Sequence, residues 1–87
     1  MSVPVTIYRT RVCPYCVMAK RLFDRLQVAY TEVYVDDKHE LRDELSRRYN
    51  WQTVPMIVVG EKFIGGYSDA AELERTGKLA VLLQGAA

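Results

Sequence analysis

The chain predicts an α/β fold: a four-stranded mixed sheet flanked by helices, in the order β-α-β-α-β-β-α. Three observations carry that expectation. Short β-rich runs alternate with stretches of helical apolar spacing. The first such alternation is strand–helix–strand, whose crossover makes the two strands parallel. A tight turn at Gly60 then joins the last two strands as antiparallel neighbours, so helices are needed on both sheet faces.

Each element has its own warrant. Val3-Pro4-Val5-Thr6-Ile7-Tyr8 is the first strand, with Pro4 tolerable only near its start. Pro14 suits the first position of a helix, which makes Cys13 the N-cap. That helix is expected to run to about Gln27, burying Met18, Ala19, Leu22 and Leu26 and exposing Lys20, Arg21, Asp24 and Arg25.

Tyr30 to Val35 alternates and forms the second strand. Asp37 with Glu40 three residues on suggests a capped second helix, with Leu41, Leu45 and Tyr49 as its apolar stripe. The pairs Asp43/Arg47 and Glu44/Arg48 would support its exposed face by a few tenths of a kcal/mol each. Pro55 to Val59 is continuously apolar and reads as a buried strand. Gly60-Glu61-Lys62 turns, and Phe63-Ile64 returns to Gly65-Gly66. Ser68 or Asp69 caps a third helix, which Gly77 interrupts before Leu79, Leu82 and Leu83; Gly85-Ala86-Ala87 is expected to fray.

With 87 residues the chain suits one domain spanning 1–87. Hydrophobic residues make up 49% and charged residues 26%, the balance of a folded core rather than a disordered segment. No stretch approaches the ~20 apolar residues of a membrane span. The N-terminus lacks the pattern of a secretory signal, so a cytoplasmic protein with no membrane partner is expected. Twelve Lys and Arg against eleven Asp and Glu argue against a nucleic-acid binder. The charge is nevertheless uneven: residues 1–29 hold Arg9, Arg11, Lys20, Arg21 and Arg25 against Asp24 alone. Both cysteines lie in that basic segment.

Cys13 and Cys16 stand three apart at a helix start. Positions i and i+3 share a helix face with Cβ atoms about 5–6 Å apart, and a disulfide needs roughly 3.5–4.5 Å. The pair can therefore open and close with small adjustment. The two sulfurs are unequal. At the N-cap, Cys13 is placed to accept bonds from the N–H groups of Tyr15 and Cys16, and those bonds and the helix dipole favour a thiolate. Cys16 sits inside the turn. Cys13 thus reads as nucleophile and Cys16 as resolving thiol.

Two plainer readings compete. Cys-x-x-Cys is half of many zinc sites, but the further ligands would have to be His39 and carboxylates, and His39 beside Asp36, Asp37 and Glu40 reads as a solvated residue. No metal is expected. A purely structural disulfide closing so short a loop would constrain the unfolded chain little. Redox chemistry in a strand–CxxC–helix setting is the better reading.

Cys13-Pro14-Tyr15-Cys16, Thr53-Val54-Pro55 and Gly65-Gly66-Tyr67-Ser68-Asp69 together resemble the dithiol class of the glutaredoxin family, in the family's order and spacing and over essentially the whole chain. The resemblance implies a thioredoxin-like fold and a glutathione-dependent thiol–disulfide oxidoreductase, with glutathione as co-substrate. It implies that Pro55 is cis and that the backbone of Val54 pairs with the cysteinyl part of glutathione. It also implies that the helix start at Gly66, Tyr67, Ser68 and Asp69 holds the γ-glutamyl carboxylate. Tyr15 and Thr53 would line the groove, and Gln52 would meet the glycyl carboxylate. Members often carry a lysine where this chain has Thr10; Arg9 and Arg11 flank it, and Arg11 is assigned to the glutathione set. Trp51 reads as packing. Tyr67 stands where some relatives have a further cysteine.

The expected partners are glutathione and glutathionylated or disulfide-containing proteins, with ribonucleotide reductase a candidate among them, and the expected state is a monomer. Two alternatives stay open. One is a redoxin reduced by thioredoxin reductase and dedicated to ribonucleotide reductase. The other is an iron–sulfur carrier in which Cys13 and glutathione from two subunits hold the cluster.

Overall fold

The computed structural model describes residues 3–85. Eight elements follow one another: β1 (Val5–Arg9), α1 (Pro14–Arg25), β2 (Thr31–Tyr34), α2 (His39–Tyr49), β3 (Met56–Val59), β4 (Lys62–Gly65), α3 (Tyr67–Arg75) and α4 (Lys78–Leu83). The sheet order is β2-β1-β3-β4. β1 runs parallel to β2 and antiparallel to β3, and β3 antiparallel to β4. The mixed four-stranded thioredoxin-like sheet is as expected.

Alternation along β1 sends Val5, Ile7 and Arg9 to one face. There Ile7 and Val5 join Ile57 and Val59 beneath Ala19, Leu22 and Phe23 of α1, Ala70 of α3, and Leu79 and Leu83 of α4. Met56 and Val58 take the opposite face. α2 covers that side: Tyr49 stacks on Phe63 at 4.4 Å between ring centres, and Phe63 is the cross-strand partner of Val58.

Several expectations need correction. Met18 is exposed; the buried face of α1 is Cys16, Ala19, Leu22 and Phe23, with Leu26 half-buried. Ala19, Leu22 and Leu26 keep the expected side, while Cys16 and Phe23, the bulkiest fully buried side chain, take core positions and Met18 does not. Asp37 does not cap α2. The N-cap is Lys38, without a side-chain bond, and the carboxylate of Asp37 reaches Arg11 instead. Of the two helix pairs only Glu44–Arg48 forms among the described residues, at 3.0 Å.

Neither Ser68 nor Asp69 is the N-cap of α3; Gly66 is. Asp69 still serves that end from the third position, its Oδ2 accepting from the Gly66 N–H at 3.0 Å. Gly77, at φ +80°, separates α3 from α4, so Leu79, Leu82 and Leu83 belong to a helix of their own rather than to a resumed one. Gly85 donates to Leu82 O at 3.0 Å, and the expected fraying at Ala86-Ala87 lies outside the described residues.

Candidate active site

β1, a central strand, delivers the chain to one end of the sheet, and the short loop Thr10–Val12 carries it to Cys13. Cys13 takes an extended conformation (φ −155°, ψ 100°), and Pro14 opens α1. The N-cap position follows from those two residues. Cys16 N–H lies 3.1 Å from Cys13 Sγ, one of the two bonds expected there; none from Tyr15 N–H accompanies it.

Cys13 and Cys16 form a disulfide with Cα atoms 5.2 Å apart, within the ordinary span of such a bond. Cys13 is half-buried and Cys16 fully buried, at 0% exposure. An incoming sulfur can reach only the first. Beside the pair, Val12 stands 92% exposed and Tyr15 59%, an apolar rim around the accessible sulfur.

The Val54–Pro55 bond is cis. The Val54 carbonyl oxygen lies 3.9 Å from Cys13 Sγ, which brings the loop before β3 against the start of α1. Val54 also walls a groove of about 340 Å³ lined by Tyr15, Trp51, Thr53, Val54, Pro55, Gly66, Tyr67, Ser68 and Asp69. Tyr15 and Tyr67 both line it and pack as a tilted aromatic pair, 6.4 Å between ring centres.

At its far end the groove meets the start of α3. Gly65 has φ +108°, and a Cβ built on it would stand 2.5 Å from Asp69 Oδ2. Glycine is required twice over, by backbone conformation and by the carboxylate folded against it. Gly66, Tyr67, Ser68 and Asp69 at the start of α3 line this end, and a helix start is a setting that suits an anion.

Eight of the sequence-proposed glutathione residues therefore converge on one groove, and two do not. Arg11 lies in a separate hollow with Glu32, Tyr34, Asp36 and Asp37, its Nη2 paired with Asp37 at 3.3 Å. Gln52 is exposed in the loop before Thr53 but lines no part of the groove. Trp51 takes a place there instead. It packs edge-on against Phe63 at 5.4 Å and lines the groove as well, so the packing reading holds but is incomplete. Its position two residues before Thr53 was the signal available. Arg9 does not contact Cys13 either: it is buried and paired with Glu32. Among the described residues no group of three or more His, Cys, Asp or Glu gathers as a metal site, and no helix is long and apolar enough to cross a membrane.

Known proteins agree with this architecture. The glutaredoxin family model matches residues 5–64. A glutaredoxin of Pseudomonas aeruginosa is 50% identical over 80 residues, spanning 92% of this chain and 95% of its own. Glutaredoxin 3 of Escherichia coli is 36% identical over 80 residues, 92% of this chain and 96% of its own. Among solved structures, a buckwheat glutaredoxin–glutathione complex superposes with a TM-score of 0.90 at 30% identity, covering 95% of this chain and 78% of that one. The fold, the order of elements and the cysteine pair at a helix start therefore converge, and the chain belongs to the glutaredoxin family of thiol–disulfide oxidoreductases.

Proposed function

We propose that the chain is a glutathione-dependent thiol–disulfide oxidoreductase, one domain over residues 1–87, working as a monomer in a reducing cytoplasm on glutathionylated and disulfide-containing proteins. The observation that carries this reading is the groove beside Cys13, built from the cis Val54–Pro55 loop and the start of α3. Its free backbone at Val54 suits strand-like pairing with a short peptide. The helix start at Ser68 and Asp69 suits a carboxylate. Further support comes from the buckwheat relative, described as a glutaredoxin–glutathione complex.

With a glutathionylated protein, the Cys13 thiolate attacks the glutathionyl sulfur and the protein leaves as its thiolate. A second glutathione thiolate then attacks the sulfur of that glutathionyl group. Glutathione disulfide leaves, and Cys13 returns as thiolate. With a protein disulfide, Cys13 forms a mixed disulfide and releases one substrate thiol. Cys16 attacks Cys13 Sγ, frees the second substrate thiol and leaves the Cys13–Cys16 disulfide. Two glutathione molecules reduce it and depart as glutathione disulfide. The burial of Cys16 fits this division, since a resolving thiol needs to reach only its neighbour.

The test is a pair of coupled assays on a glutathionylated substrate. One supplies NADPH, glutathione and glutathione reductase; the other supplies NADPH and thioredoxin reductase. Turnover is expected in the first alone. Turnover sustained by thioredoxin reductase without glutathione would overturn the proposal in favour of the dedicated redoxin.

A further inference from the structure

Arg9 is the one buried polar or charged residue among the described residues, at 6% exposure. A buried guanidinium is unfavourable unless its charge and donors are met. Nη1 donates to Glu32 Oε1 at 2.9 Å, from β1 across to β2, and Cζ lies 5.0 Å from the centre of the Tyr34 ring. Those contacts fix the guanidinium to the sheet. Its other donors turn forward along the chain. Nε donates to Thr10 O at 3.1 Å, and Nη2 reaches Arg11 O at 3.5 Å.

Those carbonyls belong to the loop that ends in Cys13. The same loop is held from its other side, where Arg11 N–H donates to both oxygens of Asp36 at 3.1 and 3.2 Å. Arg11 spends its own side chain on Asp37 at the surface, at 3.3 Å. A planar guanidinium is the side chain that serves a carboxylate and two carbonyls at once; a lysine ammonium cannot keep that fork geometry.

We propose that Arg9 is a positioning residue for Cys13: anchored on Glu32, it grips the Thr10 and Arg11 carbonyls and so holds Cys13 Sγ over the Cys16 N–H. It acts through the loop and touches neither sulfur. This rests on the reading of Cys13 as nucleophile, and the experiment separates the two.

The reduced protein is alkylated with iodoacetamide across a pH series, a reaction in which the thiolate displaces iodide and glutathione has no part. In Arg9→Lys, which keeps the charge and loses the fork, the apparent pKa of Cys13 rises by about one pH unit. Alkylation below it slows about tenfold. The double variant Arg9→Met, Glu32→Met removes both charges together, and apolar replacement of a buried pair commonly preserves the fold. It gives the same rise and serves if Arg9→Lys does not fold. Leu79→Ala, destabilised in the distant core, keeps the wild-type profile. An unchanged profile in the folded Arg9 variants, or an equal rise in Leu79→Ala, overturns the proposal. Rapid alkylation of Cys13→Ser would instead overturn the reading of Cys13 beneath it.

Discussion

Asp69 folds its carboxylate back onto the N–H of Gly66, at 3.0 Å, through space that a side chain on Gly65 would occupy. One residue thus caps α3 and shapes the far end of the groove, and it does so only because its neighbour two positions before Tyr67 has no Cβ.

Gly65→Ala is therefore expected to destabilise the protein by about 2–4 kcal/mol, combining left-handed backbone cost with loss of the cap. Glutathione binding should fall with it. Urea unfolding measures the first and calorimetry the second. An unchanged midpoint would show that Asp69 and Gly65 are not coupled in this way.

The cysteines are expected to fail differently. Cys13→Ser should drop to the background rate on glutathionylated and disulfide substrates alike. Cys16→Ser should retain turnover of the glutathionylated substrate and lose reduction of the protein disulfide. Equal losses in both single variants would reverse the assignment of nucleophile and resolving thiol.

Tyr30 carries a pH dependence of stability. Its phenol is pushed up to about 12, first by burial, then by its hydrogen bond to Asp24 and that carboxylate's charge, with Glu32 adding and Arg9 opposing. The folded state thus retains the phenolic proton to higher pH than the unfolded chain does, where the ordinary value is about 10. Tyr30 stabilises fully below about pH 10, and that contribution is lost as pH rises from there through about 12. The stability gap between the wild type and Tyr30→Phe should narrow across that window in urea melts. A constant gap would mean that the phenol titrates alike in both states.

Trp51 is the only tryptophan and lines the groove. Titrating the reduced protein with glutathione should change its fluorescence saturably. Tyr15→Ala should weaken that titration severalfold by removing part of the groove's lining. Fluorescence that stays flat while calorimetry registers binding would place the ligand away from Trp51.

Much of this architecture was legible because local patterns carried it. Pro14 after Cys13 specified a helix start, Gly60 specified the β3–β4 turn, and the continuous apolar run at 56–59 specified a strand buried on both faces. The long-range choices were not legible. Nothing in Thr6 or Ile7 says that β1 will also pair with β3, and that pairing makes β1 central. Asp37 and Glu40 have the spacing of a capping box, yet a tertiary partner, Arg11, took the carboxylate. Arg9 reads in the sequence only as one of the basic residues flanking Thr10, because its burial depends on Glu32, twenty-three residues away in sequence and adjacent only across the sheet. The cis bond before Pro55 came from family resemblance, since the residues alone do not decide it.

The central place of β1 bears on how long the site stays assembled. With β2 bonded on one edge and β3 on the other, β1 has no free edge from which to peel, and its amides should be among the last to exchange with solvent. Cys13 sits four residues beyond this strand. Local opening should therefore begin at the outer strands, which carry Glu32 and Gly65, so the supports of the site loosen before the strand that leads to the nucleophile does.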